Sequence, residues 1–220
     1  MSEWWTYRLS DFLMFSAGTW YRLLELHNAR WWPLHGVWLA AGLLVMWALG
    51  RPAPRLTKWA FVVTGSACLF TAWAFLWRSY ADINWAATYA AVAFAAHGVG
   101  LLGMAVRVEL RPASGGVLRV GQALVAAALL YPALAVLFGR PWAQSELFAL
   151  MPDPTALATL GLLLCARRAG KDLAWGWFGV PLLWCGLSGA TLFSLNAPEW
   201  WVLPSLGLLA LGARWRAARR

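Results

Sequence analysis

Long apolar runs, separated by short polar or proline-rich breaks, dominate this chain of 220 residues. A helix needs about 20 apolar residues, each rising about 1.5 Å, to cross about 30 Å of hydrocarbon. Five runs meet or nearly meet that length, at roughly 34–50, 57–77, 84–106, 118–138 and 174–195. Two shorter ones follow the same pattern, at 154–167 and 199–214. The breaks carry turn chemistry. Gly50-Arg51-Pro52-Ala53-Pro54 stops a helix, because proline lacks an amide hydrogen and restricts the residue before it. Asn84 is placed to cap the third run. Arg111-Pro112-Ala113-Ser114-Gly115-Gly116 reads as a turn, and Asn196-Ala197-Pro198-Glu199 opens the last run.

Residues 8–32 follow a different pattern. Leu9, Phe12, Leu13, Phe15, Trp20, Leu23, Leu24 and Leu26 are interleaved with Arg8, Asp11, Arg22, Glu25 and Arg30. Such a stretch reads as an amphipathic segment lying in a membrane interface. A cap folded over the bundle is the alternative. The pattern therefore divides the chain into an amphipathic segment over 1–33, a transmembrane domain over 34–214 and a basic tail over 215–220.

Composition agrees with lipid as the solvent. The chain is 61% hydrophobic and only 12% charged, against about 25% charged in soluble domains. Its net charge of +9 comes from basic residues between apolar runs, so no nucleic-acid partner is expected. Loops 51–58, 107–119 and 167–173 with the tail 214–220 hold 13 of the 18 basic residues and only two acids, Glu109 and Asp172. Positive loops stay in the cytoplasm. Seven crossings then put the C-terminus in the cytoplasm and the N-terminus outside. The opening MSEWWTYRLSDFLMF has no basic n-region and is not expected to be a cleaved signal. Many of the 18 tryptophans fall at run ends, among them Trp32, Trp59, Trp77, Trp85, Trp142, Trp175, Trp200, Trp201 and Trp215. That reads as an interfacial belt; an aromatic cage for a cation or a stacked cofactor is the rival reading. Cys68, Cys165 and Cys185 lie within apolar runs without metal or redox spacing.

The order of several short stretches carries a resemblance. Glu25-Leu26-His27-Asn28 leads to Trp32-Pro33, and Asp82-Ile83-Asn84 opens a run. Leu130-Tyr131-Pro132 and Pro152-Asp153-Pro154-Thr155 precede Thr159-Leu160-Gly161-Leu162-Leu163, and Ala197-Pro198-Glu199 comes last. In this the chain resembles an uncharacterised bacterial membrane-protein family, domain-of-unknown-function family 6064. The resemblance implies a multi-spanning bacterial membrane protein and no particular activity. The chain departs from the family pattern at Asp153, where cysteine is frequent, and at His97, where glutamine is usual.

Ionisable groups at membrane depth cost about 2.5–3.5 kcal/mol on insertion scales, so each one is a candidate. Asp153 precedes a run too short to cross the hydrocarbon, and residues 146–151 before it are apolar enough to dip into the membrane. A broken helix with Asp153 and Thr155 at the break would suit a solute or proton path. The plainer reading is Asp153 as N-cap with Pro154 at the first helical position. His97 lies mid-run among Ala95, Ala96, Gly98 and Gly100, where another helix can approach. Hydrogen bonding between helices, a polar path lining and, last, axial ligation of a porphyrin or pigment are its readings; His35 sits at a different depth and offers no second ligand. Arg78, Tyr80, Asp82 and Asn84 form a polar group at the outer end, where an Arg78–Asp82 ion pair is the plainer reading and gating of a solute or proton path the functional one. His27, Glu25 and Glu199 are candidates for the same vestibule. No nucleophile elbow, HExxH or Walker loop is present, so no enzyme is expected, nor a resident cofactor or metal. Ser188, between Gly186 and Gly189, fits close helix packing.

The expectation is thus an all-α, polytopic inner-membrane bundle of about seven helices. Its function reads first as a small-solute permease or carrier. An accessory subunit of a respiratory or photosynthetic membrane complex is the alternative. Lipid, other membrane proteins or a second copy are the expected partners.

Overall fold

A computed structural model describes residues 13–168 and 171–219, with the side chains of residues 171 and 172 outside that description. Expectations for residues 1–12, 169–170 and Arg220 fall outside the described residues. Within them the chain is all-α. Eight helices form: α1 (Ala17–Leu49), α2 (Pro54–Phe70), α3 (Ala87–Arg107), α4 (Gly115–Leu130), α5 (Ala133–Leu137), α6 (Pro152–Leu164), α7 (Gly176–Ser194) and α8 (Val202–Ala218). Four are long and apolar enough to cross a membrane: α1, α2 with its continuation to Asp82, α3 and α7. Their outward faces are apolar, with Val37, Leu43, Leu44, Leu183 and Leu187 all exposed. Water does not tolerate apolar surface on that scale, and lipid does.

The boundary expected after residue 33 is absent. Pro33 lies inside the single 33-residue helix α1, which at about 1.5 Å per residue is near 50 Å long. Its first half is not a separate element. Ser16 caps it, accepting from Thr19 N at 3.2 Å. Trp20, Leu24, His27 and Asn28 bury one face of that half against the bundle, the spacing of a helical stripe. Trp20 packs edge-on against Phe75 and Tyr80.

α2 continues as a π-helix over Thr71–Trp77. Its wider turn is visible in the bond from Arg78 N to Trp73 O, five residues back, at 3.1 Å. Asn84 does not cap α3. Its Oδ1 accepts from Ala86 N at 3.1 Å, and its Nδ2 donates to Tyr80 Oη at 3.0 Å. The run expected over 118–138 is divided at Tyr131 and Pro132 into α4 and α5.

α6 is the centre of the molecule. All of its 13 residues are buried, and it packs against α2, α4, α7 and α8. Burial explains how so short an apolar helix persists, since non-spanning backbone at such depth is tolerated only inside protein. The α4–α6 crossing is close because it runs over paired glycines. A Cβ at Gly121 or at Gly161 would lie 2.6 Å from the other's carbonyl oxygen. A second such crossing joins α2 and α3 at Gly65 and Gly98, so the small residues around His97 do admit a neighbouring helix.

A small antiparallel sheet, not foreseen from the sequence, ties one end of the bundle. β1 (Leu110–Pro112) pairs with β2 (Ala166–Arg168), and β2 with β3 (Lys171–Asp172). The loop after α1, the start of α2, the end of α3 and the end of α8 gather at the same end. Gln122 Nε2 donates to Leu49 O at 3.1 Å there, and Arg214 Nη2 to Leu173 O at 2.7 Å. The basic residues grouped by the sequence, including Arg51, Arg55, Arg107, Arg111, Arg167, Arg168 and Arg214, thus share one end of the fold. Tryptophans mark both ends. Trp59, Trp175 and Trp215 are exposed near the basic end, and Trp77, Trp85, Trp142, Trp200 and Trp201 near the other.

Candidate functional site

The chain between α5 and α6 turns inward. Ser145 and residues 148–151 are buried, and Asn28 of α1 donates to the carbonyls of Ala143 and Ser145 at 2.8 and 2.9 Å. The stretch ends in a sharp bend at Ala149, whose φ of 67° is rare for a residue with a Cβ. Thr155 holds the bend from inside the following helix. Its Oγ1 accepts from Ala149 N at 2.9 Å and donates to Met151 O at 2.7 Å. Thr71, in the π-helix, donates to Ala149 O at 2.7 Å. Pro152 and Pro154 sit in the first turn of α6, where their missing amide hydrogens cost nothing. The break expected at Asp153 is thus a buried irregular stretch that bends at Ala149 and leads into a short helix. Thr155 shapes the bend and has no free hydroxyl face.

Asp153 is not the N-cap, a position held by Met151. Its side chain turns into the bundle, and it is 2% exposed. Three donors meet its carboxylate. Trp184 Nε1 donates to Oδ1 at 2.7 Å, Ser188 Oγ to Oδ2 at 2.7 Å and Tyr131 Oη to Oδ2 at 3.2 Å. Trp184 and Ser188 are one helical turn apart on α7, and Tyr131 ends α4. Side chains of α7 and the end of α4 thus converge on this one carboxyl group.

Further carboxyls and one cation share this part of the molecule. Glu146, in the stretch before α6, and Glu199, before α8, are 5% and 3% exposed. Arg140 Nη2 lies 2.6 Å from Glu199 Oε1. Arg140 also lies over the Tyr21 ring, 4.9 Å from its centroid, and donates to Gln144 O at 3.2 Å. Gln144 Nε2 donates to Glu25 Oε1 at 2.9 Å, and Glu25 pairs with Arg22 near the surface.

The other candidates lie apart from this cluster. His97 meets Trp177 edge-on, with ring centroids 6.0 Å apart, and makes no hydrogen bond among the described residues. Bonding between helices through His97, the favoured sequence reading, is therefore replaced by ring packing. No second axial ligand faces it: His35 is engaged by Asn28 Oδ1 at 3.0 Å and by the Trp32 carbonyl at 2.8 Å. Arg78 and Asp82 form no ion pair; Arg78 is instead 6.0 Å from the Trp73 ring centroid. Glu25 and Glu199 belong to one network through Gln144 and Arg140. His27 belongs to another, with its Nδ1 3.2 Å from Ser79 Oγ. Among the described residues no group of three or more His, Cys, Asp or Glu is placed to hold a metal.

Sequence reasoning passed over Tyr131, Arg140, Glu146 and Trp184, and it read Ser188 as packing alone. The spacing of Trp184 and Ser188 on one helix face was the available signal. Arg140 and Glu199 are too far apart in sequence to announce a pair. The best-formed cavities hold about 10 Å³ each, near the limit for one water, and neither is lined by Asp153.

No curated protein and no solved structure matches this chain. A family model does, across residues 17–219, and it takes in every residue of the carboxyl cluster. The chain belongs to that family, the family of unknown function DUF6064.

Proposed function

We propose that this chain is a carrier-type protein of the bacterial inner membrane, in which Asp153 is the ionisable group of a solute or proton path. Seven passes would cross, made by α1, α2, α3, α4, α7 and α8 and by α6 together with the buried stretch before it. The N-terminus would then lie outside and the C-terminus in the cytoplasm, because the basic end of the fold is the one expected to remain inside. The observation that carries the proposal is a buried carboxylate at the break between a buried irregular stretch and a short interior helix. Broken helices of this kind build binding sites in transporters, and a carboxylate at membrane depth is costly without a role.

Uptake into proteoliposomes tests this reading, with an entrapped pH dye reporting proton movement as amino acids, sugars and carboxylates are supplied. Asp153→Asn keeps an acceptor oxygen for Trp184 and removes the charge. It is expected to lower flux at least about tenfold, while stability falls by only about 1–3 kcal/mol from the altered hydrogen bonds. Unchanged flux in this variant, or wild-type flux no greater than that of protein-free vesicles, would refute the proposal.

Neither of the two best-formed cavities reaches Asp153, which favours a second reading, an accessory subunit of a larger membrane complex. A stoichiometric protein partner retained in mild detergent is the outcome this alternative requires.

A further inference from the structure

We infer that the basic end of the fold is a binding surface for anionic phospholipid, with the phosphate of a phosphatidylglycerol-type headgroup held by Arg51, Arg55 and Arg107. This goes beyond the carrier reading and needs no transport activity; it rests on insertion into a membrane alone.

The inference starts from charge that the protein leaves unanswered. The segments gathered at this end hold 13 of the 18 basic residues and two acids. Both acids are engaged within the small sheet. Glu109 Oε1 accepts from Arg111 Nη2 at 2.6 Å, and the strand register sets Asp172 opposite Arg167. Arg51, Arg55, Arg107, Arg119, Arg216 and Arg219 are exposed. Among the described residues none of these six pairs with a carboxylate. Arg55 and Lys58 even stand three residues apart on α2, with no acid in its first turn. Like charges at that spacing destabilise a helix, and an anionic surface over them offsets the cost.

Helix geometry brings three of these arginines together. α2 leaves the basic end and α3 returns to it, and the two cross at Gly65 and Gly98. Arg55 comes ten residues before that crossing and Arg107 nine after it. At about 1.5 Å per residue, both therefore lie about 15 Å from it along neighbouring helices, at one level. Arg51 is in the turn that joins α1 to α2.

What stands beside each cation favours lipid over a polyanion in water. Trp47 is 50% exposed, Trp59 39% and Val106 78%. They are within four residues of Arg51, Arg55 and Arg107 respectively. The Arg51 guanidinium lies over the Trp47 ring, 3.9 Å from its centroid, and Arg219 repeats the arrangement on Trp215 at 4.9 Å. The cations thus stand at the rim of apolar helix faces, where one lipid offers an acyl chain to the ring and a phosphate to the guanidinium. A soluble polyanion would leave the apolar neighbours facing water.

Quenching of tryptophan fluorescence by brominated lipid tests this on the full-length protein in phosphatidylcholine vesicles. Bromine on an acyl chain quenches tryptophans close to it, so brominated phosphatidylglycerol and brominated phosphatidylcholine report the headgroup preference of the protein surface. The wild type should favour phosphatidylglycerol at least about tenfold, since each surface arginine contributes roughly a fivefold preference. Sodium chloride should weaken that preference. Arg51→Gln/Arg55→Gln/Arg107→Gln should bring it to within about twofold of none. Arg22→Gln/Arg30→Gln/Arg78→Gln, which alters exposed arginines away from the basic end, should leave it unchanged. The salt titration of the wild type decides the matter if the first triple variant does not fold. No preference in the wild type, a preference indifferent to salt, or equal losses in the two triple variants overturns the inference. So does release of phosphatidylglycerol by inorganic phosphate where chloride of equal ionic strength has no effect, which would mark a site for a free anion.

Discussion

Replacing Arg140 by methionine while Glu199 stays is expected to destabilise the fold by about 3–5 kcal/mol, the usual cost of leaving one half of a buried ion pair. Arg140 is 12% exposed at its side chain and Glu199 3%, so water cannot take over the lost partner. The same substitution removes the guanidinium from this polar cluster. It also uncovers Tyr21 and frees the carbonyl of Gln144. The double variant Arg140→Met/Glu199→Leu should recover most of the loss, because replacing both members of a buried pair by apolar groups is often nearly neutral. It also restores the net charge of the cluster. Unfolding in mixed micelles, followed by tryptophan fluorescence, measures both. A cost below about 1 kcal/mol for the single variant would mean that the pair behaves as a hydrated surface contact.

Gly161→Val should cost about 3 kcal/mol or more, at or beyond the upper end of the usual overpacking range. The added carbon would lie 2.6 Å from Gly121 O and 2.9 Å from Val125 N. Both are backbone atoms of α4, so no side-chain rotation relieves the clash and the two helices must separate. α6 has no other place to go, since α2, α7 and α8 enclose it as well. Asp153 rides on its first turn. Separation should therefore also loosen the bonds from Tyr131, Trp184 and Ser188. Gly103→Ala is the matched control. Nothing lies within 4 Å of its added carbon, and exchanging glycine for alanine in a helix gains up to about 1 kcal/mol. Equal stability losses in the two variants would refute the close α4–α6 contact.

The two residues differ in how far the sequence announced them. Gly161 sits in a recognisable run of small and apolar residues, yet nothing local says that its partner is Gly121, forty positions earlier. Asp153 stood out because a carboxylate beside an apolar run is expensive, and the prolines around it marked a helix start. Its three donors did not stand out. They come from α4 and α7, and only packing brings those helices to one point. His97 shows the opposite error. Its position in an apolar run drew attention, while its surroundings turned out to be Trp177 and a helix crossing.

Local physics accounts for what could be read directly. Apolar run length, proline and glycine punctuation and the grouping of basic residues act over a few neighbours at a time. They were enough for the all-α class, for the approximate bounds of most helices and for the break before α6. They missed the continuity of α1 through Pro33, because packing of Trp20, Leu24, His27 and Asn28 on the bundle outweighs the one hydrogen bond that proline removes. The carboxyl cluster was beyond their reach altogether. Whether Arg140 meets Glu199 depends on the distance between residues remote in sequence and on the loss of water around them, and tertiary packing alone sets both.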